Sequence, residues 1–185
     1  AILGFAFLFM GLAFLGNVLP TPGPDSAFVQ FFLHLSEIPV AGLLLSVALG
    51  ALLTIVIQSS SATMALTMAL TVNGVIPFPV AAAMVLGENI GTTVTAELAA
   101  TVGNVNAKRT ARFHLLFNCL GVAWALIFFP VFLKAVSFVT FSLTGSNPLI
   151  DGGAAISTGL AVFHTMFNVT IGLIFIGVIP QLIKI

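Results

Sequence analysis

TIVIQSSSATMALTMALTV, residues 54–72, interrupts an apolar run with four contiguous polar side chains, Gln58 to Ser61, and how it is read decides the kind of molecule. The stretch before it, Pro39 to Ile57, carries no charge and is long enough for one membrane crossing. The stretch after it, Ala62 to Val72, closes at Asn73-Gly74 and Pro77. As a helix that short run rises roughly 16 Å, about half of a 30 Å hydrocarbon core. A helix that ends halfway must set its free backbone groups against protein or a wet cavity. Paired short segments with polar breaks point to the substrate site of a transporter, although a re-entrant channel loop gives the same pattern.

The rest of the chain agrees with a membrane setting. Of 185 residues, 59% are hydrophobic and 5% charged, against about 25% charged in soluble domains. Mean hydropathy is +1.24. These values predict an all-α integral membrane protein, a polytopic helical bundle with discontinuous or re-entrant half-helices, forming one domain over 1–185. About 20 residues per span allows some five to seven crossings. Five basic residues balance five acidic ones, and without a basic stripe nucleic acid is excluded as a partner. The single cysteine, Cys119, excludes an intrachain disulfide.

Residues 1–18 read as a first span, since they lack the basic region of a signal peptide. Pro20, Pro22 and Pro24 end it around Asp25, and 26–36 reads as an interfacial helix or loop. A second pair of short runs, Pro79–Gly87 and Thr92–Val102, flanks an expected break at Glu88-Asn89-Ile90-Gly91. Beyond a charged loop at 103–112, full spans are expected at about 111–136, with Pro130 near its far end, and about 154–183, joined by a polar connection at 142–153. Lys108, Arg109 and Arg112 place the charged loop in the cytoplasm by the positive-inside bias. Lys184 then returns to that side. One short motif recurs: ARFHLLFN (111–118) matches AVFHTMFN (161–168) at five of eight positions. His114 and Asn118 lie four apart and share a helix face, as do His164 and Asn168.

The chemistry concentrates in the two breaks. Gln58, Ser59, Ser60, Ser61 and Thr63 offer hydroxyl and amide groups, and a half-helix starting near Ala62 adds free N–H groups and a positive dipole end. Such a site holds an anion without Lys or Arg, and its exposed oxygens also suit Na⁺. Asn89, Thr92 and Thr93 look like the counterpart, with Glu88 either a buried carboxylate serving a cation or proton, or a loop residue facing water. Glu97 either snorkels or pairs with Lys108 or Arg109. The His/Asn pairs either line a pathway or bond across helices as structural links. A serine hydrolase is disfavoured by the lack of a Gly-x-Ser-x-Gly elbow, and neither a Cys/His metal cluster nor a P-loop is present.

QSSSAT at 58–63, LGENIGTTVTAELAA at 86–100 and the two FHxxFN motifs together resemble the sodium/phosphate cotransporter family, type II and its bacterial relatives, over most of residues 40–170. The resemblance implies a secondary transporter importing inorganic phosphate with Na⁺, without covalent chemistry or a cofactor, in the plasma (inner) membrane. Carried over position by position, Gln58, Ser59, Ser60 and Ser61 contact phosphate or Na⁺, and Asn89, Thr92 and Thr93 are their neighbours. Gln58, Ser60, Ser61, Asn89 and Thr92 are the candidate sodium ligands. Family members hold two inverted halves, each with its own QSSS, whereas this chain has one. It therefore resembles one half of an inverted-repeat transporter, and a second half or a homodimer partner would complete the site. The alternatives are a passive anion channel and a non-transporting membrane subunit.

Overall fold

A computed structural model describes residues 22–177 together with Leu3, Gly4, Ala6, Phe7, Met10, Gly11, Phe14 and Val18. The span expected at 1–18 falls largely outside those residues. So does the end of the last one, with Pro180 and Lys184. Among the described residues the regular structure is entirely helical.

Capping residues and prolines set where the helices begin. Ser26 starts α1 (Ala27–Glu37), its Oγ accepting from the Val29 N–H at 3.3 Å. Pro39 opens α2 (Pro39–Ile57), which leads through Gln58 and Ser59 into α3 (Ser60–Val72). Pro79 lies in the first turn of α4 (Phe78–Ala100). Asn104 caps α5 (Val105–Ile127), its Oδ1 accepting from the Ala107 N–H at 2.9 Å. Pro130 opens α6 (Phe129–Thr144), and α7 (Ala154–Ile176) follows a nine-residue connection that starts with Gly145 in the left-handed region. Proline suits a first turn because its fixed φ is helical and its missing N–H would have had no partner there. The helices α2, α5 and α7 are long and apolar enough to cross a membrane, and the chain is an all-α integral membrane protein.

α4 is the centre. Phe78 and every residue from Val80 to Glu88 are buried, and the helix packs on α2, α5, α3 and α7. Its closest neighbour is α2, because glycines let the two backbones meet. A methyl group at Gly87 would run into the Val47 carbonyl, and one at Gly50 into the Met84 carbonyl. Close backbone approach through small residues is the way helices associate where water supplies no hydrophobic drive.

That packing corrects the second expected break. α4 runs through Glu88-Asn89-Ile90-Gly91 without interruption. Gly87 and Gly91 are one turn apart on the face toward α2, and a Cβ at Gly91 would stand 2.6 Å from the Ala51 oxygen. The polar side chains return to their own helix: Asn89 Nδ2 donates to the Val85 carbonyl at 2.9 Å, and Thr92 Oγ1 to the Glu88 carbonyl at 2.9 Å. Each donor is thus satisfied without breaking the helix. Two further boundaries move. The span expected at 111–136 is two helices, meeting at Phe128, because Pro130 starts a helix instead of sitting late in one. The charged loop shrinks to 101–104, and Lys108, Arg109 and Arg112 ride on the first turns of α5.

Candidate functional site

The break at α2–α3 is real and tightly built. Gln58 lies in the left-handed region (φ 58°, ψ 24°), and its N–H reaches the Thr54 carbonyl at 2.7 Å. A non-glycine residue there costs about 1–2 kcal/mol. Ser59 is extended, and its Oγ accepts from the Ala62 N–H at 3.3 Å, capping α3. Its carbonyl takes the Thr63 N–H at 3.0 Å. The N–H groups of Ser60 and Ser61 have no partner among the described residues, so the positive end of α3 is open at those two positions.

α3 turns a polar stripe inward. Its buried residues are Thr63, Thr67 and Thr71, one turn apart. Thr63 and Thr71 donate to carbonyls of their own chain, Ser59 at 2.9 Å and Thr67 at 2.6 Å. Thr67 instead donates to Glu88 Oε1 at 2.8 Å. Glu88 is 3% exposed, so its carboxyl group sits inside the helix packing, held by a hydroxyl from the half-helix. Of the two readings open for Glu88, the structure takes the buried carboxylate. Sequence reasoning missed Thr67, although threonines at 63, 67 and 71 share the four-residue spacing of one helix face.

Four helices line a cavity of about 390 Å³ that is open on one side. α3 contributes Ser60, Ser61 and Met64, and α4 contributes Glu88, Asn89 and Thr92. α5 adds His114, Phe117 and Asn118, and α7 adds His164 and Asn168, so both copies of the repeated motif converge here. They do so with the same local geometry. Asn118 Nδ2 donates to the His114 carbonyl at 3.1 Å, and Asn168 Nδ2 to the His164 carbonyl at 2.8 Å. Neither imidazole makes a hydrogen bond among the described residues, so the cross-helix link envisaged for the His pair is not formed. No Lys or Arg lines the cavity, and Glu88 is the one carboxylate that does.

Other candidates lie beside the cavity. Gln58 is exposed and forms the joint. Ser59 borders a larger, mainly apolar groove of about 880 Å³ along α3, which shares Ser61 and Met64 with the cavity. Thr63 and Thr93 are fully buried, and Thr93 Oγ1 donates to the Ile90 carbonyl at 2.7 Å. Glu97 pairs with Arg112, Oε1 to Nε 3.6 Å, and not with Lys108 or Arg109. Among the described residues no three His, Cys, Asp or Glu side chains gather as a metal centre.

The profile of the family described as Na+/Pi-cotransporter matches residues 35–179. The chain is 32% identical over 179 residues to the uncharacterized protein YqeW of Bacillus subtilis, covering 94% of this chain and 53% of that protein. It is 35% identical over 127 residues to the putative inorganic phosphate export protein YjbB of Escherichia coli, covering 68% of this chain and 21% of that one. Sodium-dependent phosphate transport protein 2B of Homo sapiens is 41% identical over 92 residues, 47% of this chain and 13% of the human protein. The chain thus spans about half the length of the Bacillus relative and a smaller part of the other two. No solved structure matches it.

Proposed function

The chain belongs to the Na+/Pi-cotransporter family, a family of transporters and not of enzymes, and from that premise we propose that its 390 Å³ cavity takes inorganic phosphate as part of a sodium-coupled importer. One observation carries the reading. Both polar motifs and both FHxxFN repeats, far apart in sequence, face a single cavity without Lys or Arg. Phosphate is then held by neutral donors, the Ser60 and Ser61 hydroxyls and N–H groups at the start of α3, with the imidazoles of His114 and His164 opposite. A helix start binds anions in this way through aligned N–H groups and the dipole. Gln58 and Ser59 serve by shaping the joint that presents those groups.

Glu88 explains why a cation is needed. A carboxylate on the wall of an anion site repels its ligand, strongly so where water is scarce. Na⁺ beside Glu88, with hydroxyl and amide oxygens of Thr92 and Asn89 in reach of the same cavity, removes that repulsion and draws the two ions in together. Ser61, His114, His164 and Asn168 are exposed at the cavity, so one wall is left for a second repeat half or a second copy of the chain to supply.

Export is the second reading, favoured by the name of the Escherichia coli relative. Labelled-phosphate flux in proteoliposomes, with Na⁺ or K⁺ gradients set in either direction, decides between them. Uptake that follows an inward Na⁺ gradient and fails with K⁺ is the expected result. Outward movement indifferent to Na⁺ establishes the exporter. Equal flux with both cations identifies a channel, and none from folded protein leaves a fragment or a non-transporting subunit.

A further inference from the structure

Two residues of the cavity wall belong to a second space as well. His114 and Phe117 also line a groove of about 740 Å³ between the end of α4 and the start of α5. Only residues 101–104 join these two helices, so they run as an antiparallel pair. Their lining residues descend in step. Ala100 and Ala107 lie next to the connection, Ala96 and Ala111 a turn further in, and then Thr92 on one side and His114 on the other. At 1.5 Å per residue, His114 is about 10 Å deeper than Ala107, and Asn118 about 6 Å deeper again. Groove and cavity thus adjoin along this α4–α5 furrow at His114 and Phe117, which line both.

Basic residues cluster beside the outer end of that furrow. Lys108, Arg109 and Arg112 lie on the first turns of α5, and among the described residues only Arg112 is paired, with Glu97 at 3.6 Å. Unpaired cations at the mouth of a cleft raise the local concentration of anions. Phe117 stacks edge-on against Phe175 of α7, ring centroids 4.6 Å apart. Its ring is therefore set by the helix that also carries His164 and Asn168, and a shift of α7 moves that ring and the far cavity wall together.

We propose that the α4–α5 furrow is the route of the anion between the basic membrane face and the polar cavity, with the His114–Phe117 pair as the gate across it. The proposal rests on the reading of the cavity as a phosphate site, but its test measures access and not transport. In a Cys119→Ala background, Ala96→Cys places a thiol in the groove and Thr92→Cys places one in the cavity, one turn apart on α4. Each is treated in proteoliposomes with a membrane-impermeant charged methanethiosulfonate, applied at the face bearing Lys108 and Arg109. The thiol at 96 should react readily and the one at 92 slowly. Phe117→Ala should speed the reaction at 92 by about tenfold, as expected when a mostly closed state gives way to an open one. His114→Ala gives the same readout should the phenylalanine variant not fold. A thiol at 96 that reacts only with a membrane-permeant reagent, or a rate at 92 that neither substitution changes, overturns the gate. A faster rate at 92 that inorganic phosphate does not slow keeps the gate and counts against phosphate as the cavity's ligand.

Discussion

Gln58–Thr63 and Gly87–Thr93 present the same surface text, small and polar residues in the middle of apolar ones, and the chain treats them in opposite ways. At the first, the backbone turns: Gln58 goes left-handed and Ser59 caps a new helix. At the second, the helix continues, with the polar side chains bonded to carbonyls one turn back. What separates them is the glycines. Gly87 and Gly91 stand four apart and face α2, where any side chain would meet backbone. A serine run just before a helical stretch is the signature of a cap, whereas glycines four apart inside an apolar segment are the signature of close packing. The two regions therefore present different groups to the cavity. The first region offers backbone N–H groups as well as side chains, and the second offers side chains from a rigid wall.

The largest effect should come from filling that wall. Gly87→Leu is expected to abolish the folded state, since overpacking even where side chains can yield costs about 1–3 kcal/mol and here the obstacle is the Val47 backbone. Loss of the monodisperse peak in detergent checks it. A well-behaved variant would break the comparison at its root. Next, Thr67→Val removes the one hydroxyl on Glu88 Oε1 and should lower stability by about 1–3 kcal/mol, the cost of an abandoned buried partner. Thermal melting measures this, and adding Glu88→Gln should recover part of the loss through a non-additive cycle. Ser60→Ala should weaken phosphate binding about tenfold, near 1.4 kcal/mol, with little change in melting temperature. Equilibrium binding on purified protein would sink the serine's role by showing equal affinity. The smallest effect belongs to the joint. Gln58→Gly relieves the left-handed strain and should raise stability by less than about 1 kcal/mol, visible as a small upward shift in melting.

Much of the architecture was legible because a membrane simplifies the alphabet. The spans α2 and α7 and the short helix α3 follow from hydropathy and punctuation, although α3 starts at Ser60, capped by Ser59, and not near Ala62. The recurrence of FHxxFN identified residues that meet at one cavity, although they are 50 positions apart in the chain. What could not be read was whether a polar residue finds a partner nearby. Asn89 looks like a residue of a break, and Thr92 and Thr93 like the start of a new helix, until one continuous helix supplies the acceptors. Glu88 reads equally as a buried carboxylate or a loop charge until Thr67, 21 positions earlier, arrives to hold it. Pro130 misled for a related reason, since proline late in one helix and proline at the start of the next differ only in the backbone of Phe128.

The bond from Thr67 to Glu88 is also, among the described residues, the one side-chain hydrogen bond that ties two helices to each other. Thr63 and Thr71, the other buried hydroxyls of α3, bond to carbonyls at 59 and 67 of their own segment and hold no neighbouring helix. A single latch of this kind contributes about 1 kcal/mol net, close to thermal energy. The half-helix is thus fastened in chemistry but loosely in mechanics. A cation that displaced the Thr67 hydroxyl from Oε1 would undo that fastening.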